Sequence, residues 1–386
     1  MDKVRFGIIG LGNMGGLHLT WINEIPEVEL TAVCDIDAKK ADDKAKEYNV
    51  RSFHNAEELF ASGCVDAVLI AVPHYSHTPL TIEAFRHGLH VLCEKPIAVT
   101  KSDAQKMIDE HAKHPELRFG LMFQQRTHEA HKKIKKLIDG GEFGRIQRVN
   151  WTITNWFRSQ SYYDSGSWRA TWAGEGGGVL LNQCPHNLDL FQWFFGLPVM
   201  VRSYVSIGKY HDIEVEDDVN TFCRFADGST GNFVTSTGEY PGTNRLEIMG
   251  TRGRMVFEEG VIHFRRTEED VNDFCRSTPE SFPSMTTWEI EVPYREQKNH
   301  KAHQEVIRDF ARAVLDPKAK MVAEGEEGIR SVEFGNAMLY SGLKGVEVPI
   351  PMDTAKYDAM LQELIRNSRY VKKEAKTAKV DMGNSF

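Results

Sequence analysis

Three polar side chains interrupt an apolar segment that follows three consecutive glycines. The segment, EGGGVLLNQCPHNLD, covers residues 175–189 and carries Asn182, His186 and Asp189 at spacings of four and three residues. These spacings place the three side chains on one face of a helix. A histidine there could exchange a proton near neutral pH, because the unperturbed pKa of imidazole is about 6.5. The segment therefore predicts an acid–base site on a helix.

Lys95 is a second residue that could do chemistry, in the segment HVLCEKP over 90–96. The apolar part of this segment predicts a strand, so Lys95 lies at the carboxyl end of that strand. Pro96 restricts the backbone of the residue before it, which gives the lysine a fixed direction. Its ammonium could then hydrogen-bond a substrate hydroxyl or stabilise a developing alkoxide. A surface lysine in a turn is the alternative interpretation of the same position.

The N-terminal segment carries the glycine spacing of a dinucleotide-binding turn. An apolar strand over 4–9 is followed by GLGNMG and then by a helical pattern. The first glycine would allow a tight turn, the second close approach to a pyrophosphate, and the third close packing of the helix on the strand. Free N–H groups of the helix would bind the phosphates. The predicted cofactor-binding residues of this turn are Gly10, Gly12, Asn13, Met14 and Gly15.

Asp35 lies where a dinucleotide fold places its ribose ligand. It follows the predicted strand VELTAVC and comes 20 residues after Gly15. Its carboxylate would accept hydrogen bonds from both hydroxyls of the adenosine ribose and would repel a 2′-phosphate. Ile36 follows where an NADP enzyme more often has a small polar or basic residue. These features predict NAD as the cofactor in preference to NADP.

The first 124 residues alternate between predicted strands and helices. Further strands are predicted over 66–73, 90–96 and 118–123, with helices near 78–87 and 102–114. This alternation favours a parallel sheet with helices on both faces, which binds ligands beyond the carboxyl ends of its strands. Polar clusters follow two of these ends. The cofactor contacts predicted from them are Pro73, His77, Glu94 and Lys95.

The composition limits the classes of protein that the chain can be. With 386 residues, 41% of them hydrophobic, the chain is long enough for two globular domains. The net charge of −8 and the absence of a basic patch argue against nucleic acid as a partner. No apolar run reaches the about 18 residues of a membrane helix, and we expect no membrane partner. Six scattered cysteines without a CxxC pair, together with the absence of a signal-peptide pattern, predict the cytoplasm.

Histidine pairs raise the question of a metal site. Five pairs share the spacing HxxH: His74/His77, His87/His90, His111/His114, His128/His131 and His300/His303. None belongs to HExxH, and none comes with a cysteine pair at a zinc spacing, so we predict no metal.

Four features together make the chain resemble the Gfo/Idh/MocA family of sugar and cyclitol oxidoreductases. They are the glycine motif, VCDID at 33–37, EKP at 94–96 and GGG…H…D at 176–189. The segment over 324–351 also resembles the C-terminal region of that family, so the resemblance extends from Val4 to about Ile365.

The resemblance implies an α/β protein with two domains. Residues 1–124 would form a Rossmann dinucleotide-binding domain. Residues 125–386 would form an α/β domain with a large, mostly antiparallel, open-faced sheet for substrate binding and oligomerisation, ending in a solvated tail. The patterns FADGSTGNF and MGTRGRMVF independently predict strand–turn–strand units in the second domain.

The resemblance also assigns roles. Lys95 and His186 match the catalytic lysine and histidine of the family, and Asp189 matches an acid that commonly follows. We expect His186 to take the proton of a substrate hydroxyl while Lys95 steadies the alkoxide. Asp189 would orient the imidazole or bind a neighbouring hydroxyl. Asn182 stands where the family usually has aspartate, so the choice of base between Lys95 and His186 stays open; alternatively, Asn182 only caps the helix.

The substrate side is predicted to include an aromatic stretch, NWFRSQSYYDSGSWRATWAGE over 155–175. Five of the seven tryptophans lie between residues 151 and 193. Flat apolar rings beside hydrogen-bonding groups suit a sugar, although a loop packed against a neighbouring subunit is an alternative. The predicted substrate contacts are Lys95, Arg158, Tyr163, Arg169, Asn182 and His186.

These inferences predict an NAD-dependent dehydrogenase that oxidises a ring hydroxyl of a sugar, glycoside or cyclitol. It would form a homodimer or homotetramer through the C-terminal sheet. A second possibility is elimination or glycoside cleavage through a transient keto-sugar, with NAD kept bound. A third is a regulator that senses NAD or sugar without turnover, but the presence of both Lys95 and His186 argues against it.

Overall fold

A six-stranded parallel sheet forms the N-terminal part of the computed structural model, which describes residues 2–295 and 301–372. Its strands are β1 (Val4–Ile9), β2 (Val28–Cys34), β3 (Arg51–Phe53), β4 (Ala67–Ile70), β5 (His90–Cys93) and β6 (Phe119–Leu121). They are ordered β3-β2-β1-β4-β5-β6, and neighbouring strands run parallel. The order reverses between β1 and β4, which opens a ligand crevice at the carboxyl ends of those strands.

Helices cover both faces of this sheet, as the sequence predicts. They are α1 (Asn13–Ile22), α2 (Ala38–Tyr48), α3 (Ala56–Ala61), α4 (His77–Arg86) and α5 (Lys101–His111). Short polar side chains fix where helices begin. The hydroxyl of Thr100, for example, accepts a hydrogen bond from the backbone N–H of Asp103 at 3.1 Å and so starts α5.

A nine-stranded sheet follows. Its strands are β7 (Ile146–Ile153), β8 (Met200–Ile207), β9 (Glu216–Arg224), β10 (Thr230–Ser236), β11 (Asn244–Gly250), β12 (Gly253–Glu258), β13 (Val261–Thr267), β14 (Thr287–Glu291) and β15 (Val348–Pro349). The order is β14-β13-β12-β11-β7-β10-β9-β8-β15. Among the described strands of this second sheet, β7 and β10 are the one parallel pair, and the other neighbours run antiparallel. The mostly antiparallel sheet is therefore confirmed, and both predicted hairpins, β9–β10 and β11–β12, are present.

One face of the second sheet is covered by helices and the other is open. The helices after residue 124 are α6 (Glu129–Asp139), α7 (Gln160–Asp164), α8 (Pro185–Phe195), α9 (Val271–Ser277), α10 (Ala302–Leu315), α11 (Gly328–Lys344) and α12 (Thr354–Asn367), of which α10 packs on the first sheet. Phe191 of α8 stacks on Phe334 of α11 at 5.1 Å between ring centroids, and both rings contact Phe233 of β10. On the opposite face, Tyr204 is 70% exposed and Phe222 is 47% exposed.

The chain returns to the first sheet near its C-terminal end. Phe310 of α10 lies 5.9 Å from Phe6 of β1, measured between ring centroids, and three further apolar residues of α10 join the same core. Residues from well beyond position 124 thus help to cover the first sheet, and the domain boundary at 124/125 stays a prediction. The described helices include none with the length and apolar character that crossing a bilayer requires.

The predicted solvated tail lies largely outside the described residues, as does His300 of one histidine pair. The last described residue, Lys372, donates hydrogen bonds to the backbone carbonyls of Tyr163 and Arg169. Within the described chain, no three histidine, cysteine or acidic side chains are grouped as metal ligands would be.

Candidate active site

The turn between β1 and α1 has the shape that a dinucleotide phosphate requires. Gly10 has a φ of +88°, and a Cβ there would lie 2.5 Å from the carbonyl oxygen of Ala71. A Cβ on Gly15 would lie 1.8 Å from the carbonyl oxygen of Gly10, so glycine alone lets α1 pack against the turn. A Cβ on Gly12, by contrast, would meet none of the described atoms within 4 Å. This open space lies at the N-terminus of α1, where helix N–H groups bind anions.

Asp35 is held beside this turn at the end of β2. Its carboxylate accepts hydrogen bonds from the backbone N–H of Leu11 at 2.8 Å and of Asp37 at 2.9 Å. The side chain of Ile36 is 97% exposed at the same edge of the sheet. The glycine turn and the fixed acid therefore fit the phosphates and the ribose of NAD. The individual contacts stay predictions, including those of Asn13 and Met14 in the first turn of α1.

His77 braces the loops after β4 and β5. Its ring lies 2.7 Å from the carbonyl oxygen of Pro96 and 2.9 Å from that of Val72. Since both ring nitrogens face backbone oxygens, His77 holds the loops in place and has no nitrogen left for a ligand. Pro73 precedes a short 3₁₀ turn that leads into α4.

Glu94 and Lys95 leave the end of β5 in different directions. Glu94 bonds His18 of α1 at 2.7 Å; burial acts to raise the pKa of this carboxyl, but His18 holds it at about 2. The ammonium of Lys95 crosses toward the second half of the protein and donates a hydrogen bond to the backbone oxygen of Asn182 at 2.9 Å. Burial lowers the pKa of Lys95, while the carboxylates of Glu94 and Glu175 oppose that change.

The helix that carries His186 begins later than the sequence predicts. It starts at Pro185 and Cys184 occupies the cap position, so the prediction that Asn182 caps the helix is wrong. The reason is a turn before the helix. The backbone N–H of Asn182 bonds the carbonyl of Gly178 at 2.9 Å, and a Cβ on Gly178 would lie 1.9 Å from the carbonyl oxygen of Glu216. This close approach to β9 fixes the turn, and Pro185 then starts the helix without losing a hydrogen bond.

The imidazole of His186 is buried at the interface between the two halves. The side-chain amide of Gln124, just after β6, lies 3.1 Å from its Nε2. Its Nδ1 has no hydrogen-bond partner among the described residues. Burial and then the positive charge of Lys95 lower the pKa of His186 well below its usual value. The ring is therefore neutral near pH 7, and its unpartnered nitrogen is enclosed by the described residues.

Asp189 does not contact the imidazole. Its two carboxylate oxygens accept hydrogen bonds from Nε and Nη2 of Arg126 at 2.8 and 2.6 Å, and one also accepts from Gln192 at 2.9 Å. Arg126 also pairs with Glu327 at 2.8 Å. The predicted role of Asp189 in orienting the imidazole thus has no support in these contacts. The pair instead ties α8 to the end of β6, because a buried carboxylate requires a charged partner.

Asn182 belongs to a chain of hydrogen bonds. Arg169 donates to the hydroxyl of Tyr162 at 2.7 Å, and Tyr162 donates to Oδ1 of Asn182 at 3.2 Å. The Nδ2 group of Asn182 then donates to the carboxylate of Glu175, which also accepts from the backbone N–H of Ala170 at 2.6 Å. The chain leads from the aromatic stretch to the residue that Lys95 touches.

The aromatic stretch over 155–175, which we term the substrate loop, positions two arginines. Both guanidinium groups lie over the ring of Tyr162. Arg158 is 5.2 Å and Arg169 is 4.6 Å from the ring centroid. Both arginines act to lower the pKa of Lys95. Tyr163 is 1% exposed and donates to Thr237 at 2.8 Å, so its prediction as a substrate contact is wrong. Successive residues of the short helix α7 are about 100° apart around its axis, and Tyr162 is the one that reaches Asn182.

Several residues of this site were not predicted from the sequence. Gln124 and Arg126 follow β6, so the rule that singled out Lys95, a polar residue after a parallel strand, could have found them. The same rule applies to His74, which lies in the polar cluster after β4, whereas Glu175 and Tyr162 carry no comparable signal. His74 lies 3.2 Å from the backbone oxygen of Glu175 through its Nδ1, which is a contact between distant parts of the chain.

Comparison with known families settles the relationship that these motifs suggest. Residues 4–120 match the family described as "Oxidoreductase family, NAD-binding Rossmann fold", and residues 131–256 match the GFO/IDH/MocA C-terminal domain. The chain belongs to the Gfo/Idh/MocA family. The predicted α/β architecture, the oxidoreductase class and NAD as the cofactor are therefore confirmed.

Relatives within the Gfo/Idh/MocA family include enzymes of cyclitol metabolism. Myo-inositol 2-dehydrogenase of Thermotoga maritima is 26% identical over 267 residues, which cover 67% of this chain and 76% of the relative. The rhizopine catabolism protein MocA of Rhizobium meliloti is 29% identical over 258 residues, covering 66% of this chain and 78% of the relative. An inositol 2-dehydrogenase of Rubrobacter xylanophilus is matched over 52% of its length at 27% identity.

Solved structures of two dehydrogenases share the fold over most of this chain. The WlbA dehydrogenase of Bordetella pertussis, solved with NADH and UDP-GlcNAcA, has a TM-score of 0.76 at 26% identity over 91% of this chain and 100% of that one. Levoglucosan dehydrogenase in complex with NADH and levoglucosan has the same TM-score over the same shares at 20% identity, which supports the fold alone.

Proposed function

We propose that the protein transfers a hydride between NAD and a ring carbinol of a sugar, glycoside or cyclitol, with His186 and Lys95 as its catalytic residues. The observation that carries the proposal is the hydrogen bond from Lys95 to the backbone of Asn182, four residues before His186. This contact joins the ammonium at the end of β5 to the turn that precedes the imidazole on α8, and the charge of Lys95 acts on His186. A relative named for myo-inositol supports the choice of a polyhydroxylated ring.

The side chains divide the chemistry between them. NAD, when bound, supplies the hydride acceptor. Lys95 donates a hydrogen bond to the reacting hydroxyl and stabilises the negative charge that grows on its oxygen. His186 takes the hydroxyl proton on its imidazole, which the side-chain amide of Gln124 holds at 3.1 Å. Burial keeps the imidazole neutral and thus able to accept a proton.

Recognition of the ring falls to the substrate loop. Its exposed aromatic faces would pack on the C–H face of a sugar, and Arg158 and Arg169 would bind hydroxyl edges. Asn182 has both ends of its amide engaged by protein, so its contact with substrate would be indirect.

The test is turnover with defined cofactors and substrates. The purified protein is mixed with NAD or NADP and with inositols, monosaccharides or glycosides, and absorbance of the reduced nicotinamide is followed. Free NADH with at least one cyclitol or sugar is the expected result. Glycoside cleavage without NADH release would favour the elimination reaction instead, and saturable binding without any product would favour a regulator.

We also propose that the open face of the second sheet joins copies of this chain into a homodimer or homotetramer. Tyr204 and Phe222 lie on neighbouring strands on this exposed face. Burying such rings between copies stabilises an assembly by the hydrophobic effect. We expect wild-type protein to elute as a dimer or tetramer, and the double variant Tyr204→Glu, Phe222→Glu to elute as a monomer that still binds NAD. A wild-type monomer would overturn this proposal.

The cytoplasmic location stays part of the proposal. All six cysteines lie in the described residues and none forms a disulfide, which suits a reducing compartment.

A further inference from the structure

Glu175 is a buried carboxylate next to the predicted catalytic residues. It is 1% exposed and precedes the three glycines of the segment over 176–178. Two donors hold its side chain, the backbone N–H of Ala170 at 2.6 Å and the amide of Asn182. Asn182 accepts the hydrogen bond of the Lys95 ammonium on its backbone oxygen. The carboxylate and the ammonium therefore meet at the same residue.

Lys95 needs a negative neighbour if it is to stay charged in this position. Its ammonium is buried, and the two nearby arginines, Arg158 and Arg169, act against its charge. Asn182 offers polar groups but no charge. Of the two carboxylates that favour the ammonium, Glu94 is turned toward His18 on the cofactor side. Glu175 is the carboxylate on the substrate side.

We propose that Glu175 is a positioning residue for catalysis, which holds Lys95 in its charged form and fixes Asn182 between them. The amide of Asn182 transmits the contact, because one end of it binds Glu175 while the backbone of the same residue binds Lys95. The role of Glu175 in catalysis rests on the proposed function, because that function is what gives Lys95 a part in the reaction. The electrostatic pairing itself can be measured without turnover.

The surroundings of both groups contain further charges. The charged groups that act on Lys95 are Glu94, Arg158, Arg169 and Glu175. Lys95 in turn lowers the pKa of four histidines, His74, His77, His186 and His303. The charged groups near Glu175 are Arg169, Lys372 and Glu216, and its uncharged neighbours are Asn182 and Tyr163. Glu175 is one of the carboxylates that oppose the effect of the two arginines on Lys95. Removing its charge must therefore lower the pKa of Lys95.

The first experiment compares E175Q with wild type. The limb of the kcat pH profile that Lys95 controls should move to lower pH, by at most about 1 pH unit because Glu94 still opposes the change, whichever protonation state of Lys95 is active. The matched control is E214Q. Glu214 also braces the substrate loop, by accepting from the backbone N–H of Trp172 at 2.9 Å, but is not among the groups that act on Lys95. E214Q should keep the wild-type profile.

A charge exchange makes the test independent of simple damage to the loop. N182D alone puts two carboxylates in contact and should lower kcat. E175Q/N182D restores an amide–carboxylate pair with the charge moved to position 182, and should return the pH profile toward wild type. A profile of E175Q identical to wild type, or a double variant no better than E175Q, would overturn the proposal.

Chemical labelling separates this inference from the proposed function. The pH dependence of acetylation of Lys95 by acetic anhydride, read by mass spectrometry of its peptide, reports the pKa of Lys95 without any substrate. We expect a lower pKa in E175Q than in wild type and E214Q. If no sugar is oxidised but this difference in pKa is found, the pairing of Glu175 with Lys95 holds and the proposed function fails. Equal labelling curves for the three proteins would contradict the pairing itself.

Discussion

The glycine turn over residues 10–15 and the cleft around His186 differ in what they are made of. The turn is backbone, and its shape depends on where a Cβ would collide, as at Gly10 and Gly15. The cleft is built from side chains that arrive from β5, β6, the substrate loop and α8. A site made of backbone is contained in a short stretch of sequence, whereas a site made of side chains exists only after the chain has folded. The two sites should therefore fail separately when residues are replaced.

The largest effect is expected from His186→Ala. Loss of the proton acceptor should lower kcat by about 10²- to 10⁴-fold, because general acid–base catalysis contributes that much. The glycine turn is untouched, so the dissociation constant for NAD, measured by fluorescence titration, should stay as in wild type. Near-normal turnover would remove His186 from the mechanism, and a parallel loss of NAD binding would show that the two sites are not independent.

A smaller effect is expected from Gly12→Ala, which probes the other site. The added methyl group enters open space, so the fold should tolerate it, but it would occupy the approach of the pyrophosphate. We expect NAD to bind about tenfold more weakly, or worse. Gly16→Ala is the matched control, since a Cβ there also meets none of the described atoms within 4 Å and lies one turn further into α1. Equal affinities of the two variants would contradict the placement of the phosphates at Gly12.

A third effect concerns the dependence of stability on pH and not activity. Burial raises the pKa of Glu216, at the start of β9, from 4.5 to about 7. Between these values the unfolded chain ionises this group while the folded protein keeps it protonated. The free energy of unfolding should therefore fall as pH rises from 4.5 to 7, by roughly 3 kcal/mol at most, and level off above that. Glu216→Gln, followed by urea unfolding across this range, should lack this fall; an unchanged slope would contradict it.

The difference between a backbone site and a side-chain site also explains which features could be predicted from the sequence. The parallel sheet, the glycine turn and Asp35 follow from periodicity and from short motifs, since each depends on residues close together in the chain. Lys95 was identifiable because a strand end and a proline define its surroundings locally. Glu175 and Gln124 were not, because their importance comes from contacts with Asn182 and His186 that no local pattern encodes.

The errors have the same physical origin. Asn182 was expected to cap α8, but Gly178 approaches β9 so closely that the chain turns once more before the helix can start. Tyr163 was preferred over Tyr162 as a substrate contact, although adjacent residues on a helical turn face different ways. Burial decides between them, and burial is set by the packing of the loop against β10.

The return of α10 to the first sheet has a consequence for the order in which the protein is made. Gly120 of β6 sits directly under Phe310, and a Cβ there would lie 2.8 Å from that ring. As the chain emerges from the ribosome, the strands of the cofactor half are complete long before Phe310 is synthesised. The face of the first sheet that α10 covers therefore stays exposed, with its apolar residues in contact with water, until almost two hundred further residues have been synthesised.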